Sequence, residues 1–283
     1  MRTRRGTSLV ELVIALALTG IVLAAASGSL LRHQRGVRWV GEVAGAESQL
    51  RPLAQMLSAE LALLDPATGD LTPGLASDST VQIRAAIASS LSCDSASGTV
   101  TLVPESRSGI ALGGSSRAPE VGDSLWFFAD TLGWQARRIT GIARVSASCR
   151  SPALPTAAAL RLSIAVPMDM PGATPVRITR QERYQLYRSG DGAWYFGLSD
   201  WSVATNRFAP PQPIAGPFVR RSAGVVTTGF AFFDATGQSV VPDGANERTI
   251  TRVRVRGLAS LVARPGDARL DSVDVALGRS RAP

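Results

Sequence analysis

Lysine is absent from this chain, and all 30 of its basic residues are arginine. Histidine occurs once, as His33, and cysteine twice, as Cys93 and Cys149. His33 directly follows a long apolar run, where an exposed interfacial position is expected, and this argues against a histidine-based catalytic triad. One histidine also leaves too few ligands for a zinc hydrolase. P-loop, G-x-G-x-x-G, G-x-S-x-G and H-E-x-x-H patterns are also missing. We therefore expect that the protein is not an enzyme and needs no cofactor or metal.

Blocks of like charge are missing as well, although the formal net charge is +8. A basic balance attracts DNA or anionic lipid headgroups. A nucleic-acid site, however, needs basic residues clustered on one face, and the arginines are scattered along the sequence. Nucleic acid is therefore not an expected partner.

Two cysteines are too few for a zinc site, which needs four close ligands. Cys93 and Cys149 suit one disulfide formed in an oxidising compartment. A pair of buried free thiols is the alternative.

The N-terminus carries the strongest signal in the sequence. Arg2, Arg4 and Arg5 form a basic start. The 20 residues Leu12–Leu31 carry no charge, and such a run is long enough to span a bilayer as a helix. Positive charge before the span places the first residues in the cytoplasm and the rest of the chain outside.

A cleaved secretory signal is the main alternative for this segment. Its apolar region is about 7–15 residues long and ends in small residues, which the segment Ala24–Ser29 could supply. Glu11 argues against a signal peptide, because a carboxylate inside an apolar span costs about a few kcal/mol and usually has a function and a partner.

The segment Arg5–Leu12 reads RGTSLVEL and, with the apolar run that follows, resembles the type IV prepilin motif. In that family a prepilin peptidase on the cytoplasmic side cuts after the glycine, here Gly6, and methylates the new N-terminus, here Thr7. The family's glutamate is fifth in the mature chain, as Glu11 is when Thr7 is first. Phenylalanine is the usual first residue in the family, in place of Thr7.

The resemblance implies a single-pass inner-membrane subunit whose head lies in the periplasm, or at a filament tip after assembly. Its implied partners are the prepilin peptidase, other minor and major pilin or pseudopilin subunits, and the inner membrane. Cleavage creates a cationic α-amine on Thr7. In a filament, Glu11 of one subunit can pair with this amine of a neighbour, which offsets the burial of both charges and sets their register. A carboxylate that only reaches the membrane interface is the alternative.

Helical periodicity resumes after the span. Pro52 lies within the pattern and can bend or restart the helix, and Asp65-Pro66 ends it. An apolar stripe on one face is formed by leucines at steps of three and four residues, namely Leu50, Leu53, Leu57, Leu61 and Leu64. Arg32, His33, Arg35 and Arg38 follow the span and are expected at the outer headgroups.

Short apolar runs between Gly, Pro, Ser and Asp clusters predict a β-rich head. The predicted strands are Val81–Ala86, Thr99–Val103, Ser124–Ala129, Arg137–Val145, Ala159–Val166, Val176–Arg188, Ala193–Leu198, Gly229–Phe233, Thr251–Gly257 and Ser272–Leu277. The fold class is therefore α+β and pilin-like, with a long N-terminal helix packed on an antiparallel β-rich globular head. We divide the chain into a leader at 1–6, a transmembrane and assembly helix at 7–31, an amphipathic helix at 32–64 that continues into the head, and a β-rich periplasmic head at 65–283.

Two features of the head leave alternatives open. Arg252, Arg254 and Arg256 alternate with valines, which predicts a strand with an arginine face. That face is either solvated and discourages edge pairing, or is a DNA- or lipid-binding ribbon. The loop aspartates Asp191, Asp200 and Asp243 either form turns or bind calcium.

The C-terminal half resembles the J-type minor pseudopilins and PilW-like minor pilins. The segments that carry this resemblance are Tyr184–Arg188, Trp194–Phe196, Ile214–Pro217, Gly229–Asp234 and Thr251–Val255. It implies a minor subunit that helps to initiate or cap assembly of a type IV pilus or a type II secretion pseudopilus, at its tip. The rival interpretations are a signal-cleaved or membrane-anchored extracytoplasmic adhesin or binding protein, and a periplasmic enzyme with a carboxylate-only site.

Overall fold

The computed structural model describes most of the chain between residues 9 and 277. The described residues are 9–62, 64, 70–71, 76–96, 98–103, 117–129, 133–149, 154–167, 170–222, 225–226, 228–244, 246–260 and 268–277. The chain divides into two compact units, Met1–Ser48 with Ser260–Arg269 and Gln49–Ala259 with Leu270–Pro283.

Two helices come first in the described chain. Helix α1 spans Leu9–Ser48, and helix α2 spans Arg51–Leu61. Pro52 lies in the first turn of α2, where its missing N–H leaves no helical hydrogen bond unmade. A new helix therefore begins next to Pro52, which is one of the two effects that the sequence predicts for this proline. Helix α2 ends at Leu61, although the apolar stripe continues to Leu64.

Fifteen strands follow in the described chain, together with a short 3-10 helix at Glu247–Thr249. In chain order, β1 to β15 are Thr80–Ala96, Thr99–Leu102, Ser124–Ala129, Gly133–Cys149, Leu154–Ile164, Pro175–Arg188, Trp194–Ser202, Arg207–Phe208, Gln212–Phe218, Arg221–Ser222, Val225–Val226, Gly229–Phe233, Ser239–Val240, Arg252–Ser260 and Ala268–Ala276. The long apolar helix and the antiparallel sheets confirm the predicted α+β, pilin-like fold class.

Six strands pair in a closed antiparallel ring. Going around it, β1 pairs with β2, β2 with β5, β5 with β4, β4 with β3 and β3 with β6. Strand β6 then returns to β1 through 11 residue pairs, from Thr80 opposite Gln185 to Leu91 opposite Pro175. The interior of a ring this small is filled by side chains.

One hydrophobic core fills the ring, and every strand of the ring contributes to it. Its buried residues are Ile87, Ala88, Val100, Leu102, Leu125, Phe127, Ile139, Leu162, Ile164, Met170, Val176 and Ile178. On β3, Leu125 and Phe127 point inward, as the period-2 alternation of a strand requires.

A second core lies where α2 packs against the sheet. The predicted leucine stripe of α2 is confirmed, because all five leucines are fully buried there, from Leu50 to Leu64. They pack with side chains from β1, β6, β7, β9, β12, β14 and β15, including Tyr184, Phe196, Phe230 and Val253. The aromatic rings of Phe196 and Phe230 meet edge to face, with centroids 5.2 Å apart.

Strands β1 and β6 belong to both cores. On β1, Val81, Ile83 and Ala85 face the core around α2, whereas Ile87 and Ala88 face the ring. The register of β1 against β6 shifts between Ala86 and Ala88. Such a bulge bends a strand and changes which side chains face inward, so this irregularity passes β1 from one core to the other.

The predicted disulfide is present between Cys93 on β1 and Cys149 at the end of β4, with Cα atoms 5.0 Å apart. Strands β2 and β5 separate β1 from β4 on this side of the ring. The bond therefore joins strands that are not hydrogen-bonded neighbours. Leu91 and Val103 pack with the two cysteines in a small apolar cluster.

Each predicted strand coincides with a strand of the structure, although several are longer, such as β1 and β4 with 17 residues each. The sequence does not predict β8 to β11 or β13. Four of these have only two residues. Strand β9 contains Pro213 and Pro217, which argue against a strand because proline cannot donate to a ladder.

We predict that replacing both cysteines with serine lowers the free energy of unfolding of the full chain by about 4 kcal/mol, because the bond closes a loop with a sequence separation of 56. Chemical denaturation of the detergent-solubilised chain measures this loss. The reduced wild-type protein is the control and should lose the same stability. Mass mapping under non-reducing conditions that finds two free thiols would contradict the prediction.

Candidate functional site: the exposed apolar helix

Helix α1 exposes its apolar side chains along most of its length. Leu12 is 56% exposed and Leu31 is 55% exposed. Within the segment Leu12–Gly45, the most apolar window of 18 residues has a mean hydropathy of 2.1, and none of that window is buried. Large contiguous apolar surfaces on soluble proteins mark contacts with a membrane or with other proteins, so α1 is the candidate functional site.

The length of α1 allows it both to cross a bilayer and to extend beyond it. Its 40 residues correspond to a helix about 60 Å long, and the uncharged run Leu12–Leu31 accounts for about 30 Å, the thickness of a hydrocarbon core. Within the described residues, α1 is the single helix that is long and apolar enough to cross a membrane. Such a helix fits an inner-membrane anchor.

Charged side chains begin directly after the uncharged run. Arg32, Arg35 and Arg38 are exposed on α1, as is His33. With a helical repeat of 3.6 residues, the three arginines share one side of the helix. Trp39 follows them and is 38% exposed. Arginine and tryptophan are residues that anchor a helix at the headgroup level.

Of the residues predicted to act in processing and assembly, the structure describes the backbone of Glu11 alone. Gly6 and Thr7 lie outside the described residues. Glu11 belongs to the first described turn of α1 by its backbone. Their predicted roles in processing and assembly therefore stay predictions.

Two of the three arginines on the face of β14, Arg252 and Arg254, make contacts within the head. Arg254 donates to both carboxylate oxygens of Asp274, at 2.6 and 2.8 Å, and Arg252 lies 3.7 Å from the same carboxylate. The hydrogen bond from Arg254 lowers the pKa of Asp274. Both guanidinium groups also stack on the ring of Phe233, 4.6 and 4.9 Å from its centroid. These contacts favour the structural interpretation of the face over a ribbon that binds DNA or lipid.

The loop aspartates serve different local contacts. Asp191 accepts hydrogen bonds from the Ala193 amide and the Tyr195 hydroxyl, at 2.9 and 2.8 Å, which is a turn-forming role. Asp200 accepts from Arg117 at 2.9 Å. Among the described residues, no group of three or more histidine, cysteine, aspartate or glutamate side chains could hold a metal ion.

A buried acidic cluster lies between α2 and the sheet, and the sequence analysis missed it. Glu182 on β6 is 1% exposed, and the carboxyl of Glu60 on α2 lies within hydrogen-bonding reach of it. The Tyr184 hydroxyl donates to Oε2 of Glu60, and Arg117 Nη1 donates to Oε1 of Glu182. We call these four residues, together with Asp200, the acid cluster.

Burial and the neighbouring carboxyls of Glu60 and Asp200 together raise the pKa of Glu182 to about 8, although the guanidinium of Arg117 opposes the rise. Burial and Glu60 also raise the pKa of Tyr184 above its ordinary value, so its phenol remains a donor. A signal was available in the sequence, because Glu182 shares the inward register of β6 with Tyr184 and Leu186.

Comparison with known proteins gives one match. The first 27 residues match the family described as the prokaryotic N-terminal methylation motif. No curated protein and no solved structure matches the chain. The matched residues include the basic start, Gly6, Thr7, Glu11 and most of the uncharged run, and the motif is consistent with processing by a prepilin peptidase. This motif, continuous with the exposed apolar helix α1, identifies the chain as a type IV prepilin-like protein.

Proposed function

We propose that the mature chain is a minor pilin or minor pseudopilin, which helps to initiate or cap assembly of a type IV pilus or a type II secretion pseudopilus. The observation that carries this proposal is the coincidence of the N-terminal methylation motif with a helix that exposes its apolar side chains. A subunit of this kind acts through its contacts and not through catalysis, so the protein is not an enzyme.

The proposed order of events begins in the inner membrane. The peptidase removes residues 1–6 and methylates Thr7, and α1 then holds the subunit in the bilayer with the head in the periplasm. A disulfide between Cys93 and Cys149 supports an oxidising compartment for the head. During assembly α1 leaves lipid for the apolar core of the filament, where helices of other pilin or pseudopilin subunits cover it.

The size of the head supports a place at the tip. The head contains two hydrophobic cores. One lies around α2, and the other fills the closed six-stranded ring. A subunit inside a filament is surrounded by neighbours on all sides, whereas a tip subunit is not. A bulky ring is therefore easier to accommodate at the tip.

We predict that Gly6→Ile abolishes removal of residues 1–6, because a bulky side chain replaces the hydrogen of glycine at the scissile bond. Intact-mass measurement of the membrane-extracted chain should find wild-type protein starting at Thr7 and the variant starting upstream of it. The absence of lysine makes the α-amine the only amine, so an amine-selective reagent reports on this N-terminus alone.

The matched control for processing is Gly20→Ile. A Cβ at Gly20 would have no atom within 4 Å, so this variant should be processed normally. A wild-type start near Ser27 or Ser29 would instead support a secretory signal, and normal processing of Gly6→Ile would refute the prediction.

We predict that Glu11→Leu inserts and folds normally but fails to assemble. Its span becomes more apolar, which favours insertion. The amine of a neighbouring Thr7 then loses its partner in an apolar surrounding, and loss of one member of a buried ion pair costs about 3–5 kcal/mol. Co-purification of other pilin subunits with the variant measures assembly, and Glu11→Gln should give an intermediate yield because it keeps a hydrogen bond without the charge.

Glu42→Gln is the control for Glu11, because it removes another carboxylate of α1 outside the uncharged run. It should co-purify with partners as the wild type does. Thermal unfolding of each variant checks that the head is intact. Incorporation of Glu11→Leu at the wild-type level would show that Glu11 has no role in assembly.

A further inference from the structure

The acid cluster differs from the other ion pairs of the head in its balance of charge. Asp70 is fully buried and receives two hydrogen bonds from Arg177, at 2.8 and 2.9 Å. Asp123 is 4% exposed and receives two from Arg180, also at 2.8 and 2.9 Å. Each of these buried carboxylates is matched by the fork of one guanidinium group.

Glu182 has no such match. A single nitrogen of Arg117, Nη1, donates both to Glu182 and to the half-exposed carboxylate of Asp200. Oε2 of Glu182 is buried and has no hydrogen-bond partner among the described atoms. An unpaired, buried carboxylate oxygen is unfavourable, and a proton placed between Glu182 and Glu60 would provide its missing hydrogen bond.

The charged groups around Glu182 come from several elements of the head. Helix α2 contributes Glu60, β7 contributes Asp200, and the segment before β3 contributes Arg117. On β6 itself, Tyr184 remains neutral, and the guanidinium of Arg180 is paired with Asp123 and Glu120. On β1, the residue opposite Glu182 is Ile83, which is apolar. Among the members of the acid cluster, three carboxyls thus face the guanidinium of Arg117, which leaves an excess of negative charge within the cluster when all are ionised.

We propose that Glu60 and Glu182 share one proton, and that this proton fastens α2 to β6, so that the docking of α2 onto the head is sensitive to pH. With the proton in place, one carboxyl donates to the other, and Tyr184 completes the bonds of Glu60. Without it, two like charges face each other in a site of low dielectric, and both repel across the contact between α2 and β6.

The direction of the pH dependence follows from the raised pKa of Glu182. In the unfolded chain this carboxyl ionises near 4.5, and in the folded chain near 8. Between these values the folded state holds a proton that the unfolded state has released. The stabilisation from this group is therefore complete below about pH 4.5, declines as the pH rises, and is lost above about pH 8.

The shared proton lies at the helix that connects the head to α1. Only Gln49 and Leu50 separate α2 from α1, the helix that carries the anchor. Loss of the proton weakens the attachment of the first element of the head, whereas the core inside the ring contains no titratable side chain among its described members. This inference is independent of the proposed role in filament assembly.

The test is the pH dependence of unfolding of the full chain in detergent, compared with Glu182→Gln. Glutamine keeps a donor for Glu60 but does not titrate. The unfolding constant of the wild type should rise relative to that of the variant by roughly tenfold per pH unit between about pH 5 and pH 8. Glu120→Gln is the matched control, because Glu120 has a side chain that is 70% exposed, and it should keep the wild-type slope.

Two further measurements distinguish a shared proton that holds α2 on β6 from a purely structural role of Glu182. Hydrogen exchange, corrected for intrinsic rates, should show α2 opening faster than the ring strands as the pH passes 8, in the wild type but not in Glu182→Gln. Arg117→Gln should move the transition to higher pH, because Arg117 opposes protonation of Glu182. Equal pH slopes for wild type and Glu182→Gln, or uniform exchange of α2 and ring, would overturn the proposal.

Discussion

The apolar side chains that α1 exposes are poorly solvated by water, and they therefore need a membrane or another protein to cover them. Each large aliphatic side chain left exposed forgoes about 1.5–3 kcal/mol that burial would provide, and α1 exposes many of them over its uncharged run. Lipid can cover this surface, and so can the helices of other subunits. Since both environments are apolar, the helix can pass from one to the other without a large change in solvation.

The head satisfies a different requirement, because it has to be stable in water by itself. It does so with two cores that share β1 and β6. The leucine stripe of α2 closes one core, and the antiparallel ring encloses the other. Because β1 and β6 contribute side chains to both cores, the two cores are joined by continuous backbone.

The sequence predicts the elements of this fold better than their arrangement. The leucine stripe, the long apolar helix, the disulfide and the main strands follow from periodicity, composition and a cysteine count, which are local or nearly local signals. Closure of the ring depends on the pairing of β1 with β6, about 90 residues apart in the chain. No local pattern specifies such a pairing.

The acid cluster is missed for a related reason. A glutamate in the inward register of β6 is visible in the sequence, but its partners come from α2, from β7 and from the segment before β3. Whether such a residue is neutralised by an arginine fork or by a proton depends on which side chains the fold brings together. The candidate anchor, by contrast, lies in one continuous segment and is therefore predictable from sequence.

The bond between Cys93 and Cys149 also determines what proteolysis can do to the head. A protease that cuts the backbone at any point between these residues divides the chain, yet the two fragments remain covalently joined. The N-terminal fragment keeps α1, α2 and most of β1, and the C-terminal fragment keeps β5 to β15. A nicked subunit would thus stay attached to its anchor in an oxidising environment, and its fragments would part only after reduction.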